Sequence, residues 1–270
     1  MTGANGAATT RVRFDASGVR FVVTGAAGLV GRALVARLAE VGAEVTALDR
    51  TADVLRDASE EWPSRVATVI ADLSDAEAVA DLADHPGVRN ADVLINNAAV
   101  THLTTPLLDT TVADLDAISN VNVRATTLLS QIVVRRWRDD GRSGCIVNMS
   151  SPGATRAHDN QAAYDGSKGA IEALTRAMAV EWGALGVRVN ALAPARVQRE
   201  RLPVTDAPLG WTSTGRDIAD AALWLVSDAA AVVTGQVIAL DGGLLARLRP
   251  GGLDSTEGAE AAPTRKVNTL

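Results

Sequence analysis

A tyrosine and a lysine four residues apart form the pair in this sequence best suited to acid–base chemistry. Tyr164 is the only tyrosine of the chain, and Lys168 follows it near the start of a segment with helical spacing. That spacing places both side chains on one face of a helix. Because an ammonium group favours a nearby phenolate, we expect Lys168 to lower the pKa of Tyr164 from its ordinary value of about 10. The same spacing is also common in ordinary surface contacts.

Two serines end the apolar run over residues 145–150 that precedes this pair. Ser150 is the last residue of the run and Ser151 follows it, 13 residues before Tyr164. In open α/β sheets ligands bind at the carboxyl ends of the strands, so a hydroxyl group at this position can contact a substrate oxygen. A serine after a strand is otherwise a cap or turn residue.

Three glycines punctuate the sequence VVTGAAGLVGR, where an apolar run changes to a helical pattern. Gly25, Gly28 and Gly31 allow a sharp turn and a close approach of a phosphate to the amide groups at a helix N-terminus. Asp49 ends the next apolar run, 18 residues after Gly31. At this spacing a carboxylate can accept hydrogen bonds from a ribose. A carboxylate also repels a 2′-phosphate, which favours NAD, whereas Arg50 leaves NADP possible.

The elements that must position these residues alternate between apolar runs and segments rich in Ala and Leu. This alternation predicts an α/β fold, a doubly wound seven-stranded parallel sheet with helices on both faces. The expected strands cover residues 20–24, 44–49, 66–72, 92–96, 145–150, 187–193 and 236–242. Long helices are expected around 111–138 and 161–183.

Composition excludes several other classes of protein. The chain of 270 residues has a net charge of −6, so it lacks the basic surface of a nucleic-acid-binding protein. No apolar run reaches the ~18 residues of a membrane helix, and no signal peptide is visible at the N-terminus. Cys145 is the single cysteine, which fits a reducing, cytoplasmic location. The three histidines are scattered, so no metal site is expected.

Taken together, these stretches resemble the short-chain dehydrogenase/reductase family, in its single-domain branch. The resemblance covers residues 18–245 and rests on VTGAAGLVGR, LINNAA, IVNMSS, YDGSK, GVRVNALAPARV and TGQVIALDGG. It implies a Rossmann fold with strand order 3-2-1-4-5-6-7. It also implies a homotetramer or dimer, with the two long helices as candidate interfaces. Residues 1–17 are expected to be a flexible segment, and residues 246–270 a flexible or subunit-contacting tail.

The resemblance further implies oxidation of a secondary alcohol or reduction of a ketone with NAD, or with NADP as the less favoured cofactor. Tyr164 would be the general acid and base, Ser151 would hold the substrate oxygen, Lys168 would hold the nicotinamide ribose, and Asn122 would anchor a water in a proton relay. The cofactor-binding residues implied are Gly25, Ala27, Gly28, Leu29, Val30, Gly31, Asp49, Arg50, Asp72, Leu73, Asn97, Ala98, Ala99, Tyr164, Lys168, Pro194 and Val197.

Some features depart from the family pattern. The glycine spacing is that of the extended branch, which includes sugar-nucleotide epimerases, so an epimerase or isomerase that retains NAD is one alternative. Ala195 and Arg199 replace a usual glycine and threonine, and the lid segment after them is short. A catalytically silent NAD-sensing regulator is therefore the other alternative. The cluster of Arg196, Arg199 and Arg201 suits either an anion site or a solvated charged face.

Overall fold

The computed structural model describes residues 14–52 and 59–247. The predicted segments 1–17 and 246–270 lie mostly outside these ranges, and the boundaries at 18 and 245 stay predictions. The strands are β1 (Arg20–Thr24), β2 (Glu44–Asp49), β3 (Val66–Ile70), β4 (Val93–Asn96), β5 (Gly144–Met149), β6 (Val187–Pro194), β7 (Val197–Gln198), β8 (Ser213–Thr214) and β9 (Val237–Leu240). The helices are α1 (Leu29–Glu40), α2 (Ala76–Asp81), α3 (Pro86–Arg89), α4 (Val112–Ser119), α5 (Thr126–Asp139), α6 (Ala162–Trp182) and α7 (Gly215–Val226).

Seven strands form one parallel sheet in the order β3-β2-β1-β4-β5-β6-β9. The predicted fold class and strand order are therefore confirmed. Parallel strands in register bring their carboxyl ends to one edge, where Thr24 pairs with Leu48 and Asn96 with Asn148. The third strand ends at Ile70, two residues earlier than predicted, so residues 71 and 72 leave the sheet at this edge. The short ribbon of β7 and β8 was not predicted.

Helices cover both faces of the sheet because successive strand residues point to opposite sides. In β1, Phe21 and Val23 join the core beneath α1 and α7, while Val22 belongs to the core on the other side, which includes residues of α5 and α6. Both faces are apolar, as expected for parallel strands that are buried on two sides. Burial of each large apolar side chain stabilises the folded protein by about 1.5–3 kcal/mol. The site rests on this packed core.

The predicted helix over 111–138 is interrupted. Between α4 and α5, residues Asn120–Ala125 form a π-helical segment that widens the turn. Such segments are frequent at functional sites, and this one contains the predicted site residue Asn122. The second predicted helix, 161–183, is observed almost unchanged as α6. Within the described ranges, no helix is long and apolar enough to cross a membrane.

Candidate active site

The first turns of α6 hold Tyr164 and Lys168 at the carboxyl edge of the sheet. Tyr164 is half-buried and Lys168 is only 3% exposed. The Lys168 Nζ atom lies 5.5 Å from the centre of the Tyr164 ring. It donates a 2.7 Å hydrogen bond to the carbonyl of Met149, the last residue of β5. The helix thereby fixes the lysine against the strand that carries the candidate substrate-binding serine.

Burial dominates the protonation behaviour of this pair. It lowers the pKa of the Lys168 ammonium to about 8 and raises the pKa of the Tyr164 phenol. A hydrogen bond with the Ser151 side chain opposes that rise, and the charge of Asp165 adds to it. The expectation that Lys168 lowers the pKa of Tyr164 is wrong for this structure. The ammonium is directed to the Met149 carbonyl, so its effect does not offset the loss of solvent around the phenol.

The two serines after β5 have different partners. The Ser150 hydroxyl donates to the Glu172 carboxylate at 2.9 Å and is directed to the body of α6. The Ser151 hydroxyl accepts from the Gly153 amide at 3.1 Å, which caps the short turn Pro152–Ala154. Its own proton stays available for an acceptor beside Tyr164. The structure therefore brings Ser151, rather than Ser150, together with the phenol.

Asn122 is buried and braces three segments of the site. Its side-chain oxygen accepts from the Val100 amide at 2.8 Å, and its amide donates to the Ser167 hydroxyl at 2.9 Å. Ser167 in turn donates to the Tyr164 carbonyl at 2.7 Å. The side chain of Asn122 thus links the segment after β4 to the first turn of α6, close to the Tyr164 and Lys168 pair.

The glycine turn has the shape of a phosphate cradle. Gly25 has a positive φ of 63°, and a Cβ atom there would lie 2.7 Å from the Ala98 Cα atom. A Cβ on Gly31 would lie only 2.0 Å from the Gly25 carbonyl oxygen, so α1 packs directly on the turn. Gly28 is the N-cap of α1 and provides no side-chain cap. The first amides of the helix, from Leu29 to Gly31, have no intrahelical acceptors and suit an anion.

A second part of the crevice lies beside this turn. The predicted residues Asp49, Arg50, Asp72, Leu73, Ala98 and Ala99 line it, together with Gly25 and His102. The Asp49 carboxylate accepts from the Ala27 amide at 3.0 Å, which fixes it at the start of the turn. Hydrogen bonds from Ser74 lower the pKa of Asp72, so this carboxyl is ionised. These residues fit a nucleoside with a ribose near Asp49.

Asn97 has a supporting position in this crevice. Its side-chain amide donates to the carbonyls of Thr24 and Gly25 at 2.9 and 3.0 Å. The Thr24 hydroxyl in turn accepts from the amides of Asn97 and Ala98, both at 3.0 Å. The segment after β4 is therefore tied to the glycine turn, which keeps Ala98 and Ala99 against the crevice.

The remaining predicted cofactor residues follow β6, farther along the carboxyl edge of the sheet. Pro194 ends β6, and Val197 is half-buried in the ribbon, where it pairs with Ser213. The short candidate lid runs between the parallel strands β7 and β8, and the amide of Leu209 in it donates to the Gly242 carbonyl. The candidate lid therefore packs on the segment after β9.

Two of the three clustered arginines are engaged on the surface. Arg196 pairs with Asp206 at 2.8 Å and Arg201 with Asp217 at 2.5 Å, with both guanidinium groups more than half exposed. Arg199 is exposed and lines an open cleft with Ala27. Within the described ranges, no group of three or more His, Cys, Asp or Glu side chains could hold a metal ion.

Sequence reasoning missed several residues that organise the site. Thr24 is a fully buried hydroxyl that follows three apolar residues in β1, and that contrast was the available signal. Ser167 is part of the stretch YDGSK but was given no role. Asp165 follows Tyr164, is 8% exposed, and binds His158 from the loop after β5. No sequence signal connects Asp165 to His158, because the loop conformation creates their contact.

Several known proteins are similar to this chain in sequence and in structure. A family model described as enoyl-(acyl carrier protein) reductase matches residues 25–245. The chain is 38% identical over 242 residues to L-xylulose reductase of Bos taurus, covering 85% of this chain and 98% of that protein. It also matches two solved structures. One is a 3-ketoacyl-(acyl-carrier-protein) reductase from Brucella melitensis complexed with NADH, with 28% identity, a TM-score of 0.79 and coverage of 85% and 99%. The other is a gluconate 5-dehydrogenase, described as putative and NAD(P) dependent, from Beutenbergia cavernae with bound NADP, with 35% identity, a TM-score of 0.80 and coverage of 86% and 99%.

Proposed function

This chain belongs to the short-chain dehydrogenase/reductase family, and we propose that it interconverts a secondary alcohol and a ketone in an NAD(P)-dependent reaction. The observation that supports this most directly is the grouping of three side chains at the carboxyl edge of the sheet. Tyr164 has a hydrogen bond with Ser151, and the Lys168 ammonium lies 5.5 Å from its ring centre. The crevice lined by Gly25, Asp49 and Ala98 opens at the same carboxyl edge of the sheet.

In the reducing direction, Tyr164 acts as the general acid. Its raised pKa keeps the phenol protonated at neutral pH, so it can donate a hydrogen bond and then a proton to a carbonyl oxygen. The Ser151 hydroxyl donates to the same oxygen and stabilises the negative charge that develops there. A bound nicotinamide supplies the hydride in this direction and accepts it in the other. In the oxidising direction, Tyr164 first passes its proton to the relay through Lys168 and then, as the phenolate, takes the proton from the alcohol.

Lys168 and Asn122 complete the proposed site. Lys168 is one of only two lysines in the chain, and its pKa of about 8 lets it lose or regain a proton near neutral pH. This suits a group that binds a ribose hydroxyl and returns protons to Tyr164. Asn122 holds the segment after β4 against the start of α6. We assign to it the anchoring of a water in the proton relay.

For the cofactor, we propose that NAD is preferred over NADP. Asp49 lines the crevice where the adenosine ribose fits, and its carboxylate is fixed by the Ala27 amide. A carboxylate in that position accepts bonds from a ribose and repels a 2′-phosphate. Arg50 lines the same crevice, and its charge lowers the pKa of Asp72.

For the substrate, we propose a small polyhydroxylated ketone or the corresponding polyol. The names of two similar proteins, L-xylulose reductase and gluconate 5-dehydrogenase, refer to polyhydroxylated molecules. The two alternatives, a cofactor-retaining epimerase and a silent sensor, are supported only by the glycine spacing and the altered lid.

We also propose a cytoplasmic homo-oligomer. Large apolar side chains are exposed before and on α4, with Leu108 completely exposed, Val112 73% exposed and Leu107 68% exposed. On α6, Val180 is 83% exposed. Burial of such side chains against a second copy of the chain would remove an apolar surface from water.

Turnover of a panel of ketones and polyols, followed at the absorbance of reduced nicotinamide, tests the proposed function. We expect one NADH to be consumed for each ketone reduced. An epimerase would interconvert substrates with no net change in NADH, and a sensor would bind NADH tightly without turning over any compound. Either of these results would contradict the proposed oxidoreductase.

A further inference from the structure

A buried carboxylate directly follows the candidate catalytic tyrosine. Asp165 has a side-chain exposure of 9%, and both of its oxygens bind one residue of the loop after β5. One oxygen accepts from the His158 amide at 2.7 Å, and the other lies 2.8 Å from the His158 Nδ1 atom. The first turn of α6 is favourable for a negative charge, which compensates part of the cost of burying it.

The backbone is shaped to admit this pair. A Cβ atom on Gly153 would lie 2.0 Å from Asp165 Oδ1 and 2.9 Å from His158 Nδ1. Any side chain at this position would therefore displace both groups. The Gly153 amide also donates to the Ser151 hydroxyl, so the glycine that makes room for the pair is hydrogen-bonded to the candidate substrate-binding serine.

The geometry leaves one nitrogen of the imidazole available. Because an ionised carboxylate only accepts hydrogen bonds, Nδ1 must carry a proton, and Nε2 faces the opposite side of the ring. The ring is 47% exposed, and its centre lies 6.4 Å from that of Tyr164. Within residues 14–52 and 59–247, Nε2 has no hydrogen-bond partner.

We propose that His158 contacts a second hydroxyl group of the substrate, and that Asp165 is the positioning residue that holds its ring. The inference rests on the proposed function and extends it by naming the side chain that selects polyhydroxylated substrates. A hydroxyl group both donates and accepts, so it pairs with Nε2 whether the imidazole is neutral or protonated. A ketone without that hydroxyl leaves Nε2 without a partner and is bound less well.

The test compares two ketones with the same carbon skeleton, erythrulose and butan-2-one. His158→Asn is the informative variant, because the asparagine amide replaces Nδ1 as donor to Asp165 while the far nitrogen is lost. We expect kcat/KM for erythrulose to fall about 10-fold or more, mainly through KM, with kcat/KM for butan-2-one within about twofold of the wild type. The dissociation constant of NADH, measured by calorimetry, should not change.

His158→Gln is the matched control, because its longer side chain places an amide near the original Nε2 position. It should recover part of the activity on erythrulose. Asp165→Asn should also lower kcat/KM for erythrulose, since it leaves the ring less firmly held.

The outcomes separate this inference from the proposed function. Equal losses on both ketones in His158→Asn, or no loss on either, would overturn the role of His158 while the oxidoreductase activity stands. Turnover of butan-2-one but not of erythrulose by the wild type would also overturn it. If the wild type reduces neither ketone and no member of the wider panel, the proposed function fails and this inference fails with it.

Discussion

Replacing the buried lysine should stabilise the protein while it abolishes activity. Lys168→Met removes an ammonium group whose pKa is lowered from 10.5 to about 8 by burial. That change corresponds to a penalty of about 3 kcal/mol for keeping the folded protein charged at neutral pH. The substitution also leaves the Met149 carbonyl without its donor, which costs about 1–2 kcal/mol. At pH 7 we expect the variant to be more stable than the wild type by about 1–2 kcal/mol.

The sign of this difference should change with pH. Below pH 8 the lysine is protonated in both the folded and unfolded chains, so the wild type carries the full penalty. Between pH 8 and pH 10.5 the unfolded chain binds the proton and the folded chain does not, so the stability of the wild type rises with pH. Near pH 10.5 most of the penalty has disappeared, and the lost hydrogen bond to Met149 should make the variant the less stable protein.

Guanidinium unfolding of the cofactor-free proteins at pH 7 and pH 10.5 measures this directly. Arg176→Met is the matched control, because it removes an exposed cation from the same helix and should change stability little at either pH. A difference between wild type and Lys168→Met that is the same at both pH values would refute the reasoning. It would mean that the folded protein does not oppose the charge on Lys168.

Two further substitutions test the crevice. Gly31→Ala should destabilise the protein by about 1–3 kcal/mol in chemical unfolding and weaken NADH binding, because its Cβ would lie 2.0 Å from the Gly25 carbonyl. Gly28→Ala is its control, with a nearest contact of 3.3 Å, and equal effects in the two variants would contradict the packing argument. Asp49→Ala should weaken NAD binding and reduce the rejection of NADP in calorimetric titrations. Unchanged affinity for both cofactors would show that Asp49 does not contact the ribose.

Local sequence patterns predicted most of the fold. The strands β1 and β2 have the predicted bounds because each is an apolar run between a polar or glycine-containing turn and a helical pattern. The break at Asn120–Ala125 was not predicted, since its residues continue the helical spacing of the segments around it. A π-helical turn is selected by tertiary contacts such as those of Asn122, which a one-dimensional pattern does not contain.

The candidate site was predictable as a set of positions but not as a set of interactions. Spacing alone placed Tyr164 and Lys168 on one helix face. The direction of the pKa change at Tyr164 was wrong, because it depends on how deeply α6 packs and on where the Lys168 ammonium finds an acceptor. The pairing of Asp165 with His158 depends on the path of a loop, which Gly153 permits. Contacts of this kind arise only after the chain has folded.

The most direct test of the proposed chemistry is a comparison of Tyr164→Phe with the wild type. Phenylalanine keeps the ring and removes only the hydroxyl group that is proposed to transfer the proton. We expect kcat for ketone reduction to fall by about 10²–10⁴, while the dissociation constant of NADH stays within about twofold. Turnover close to that of the wild type, or loss of NADH binding in this variant, would contradict the role assigned to Tyr164.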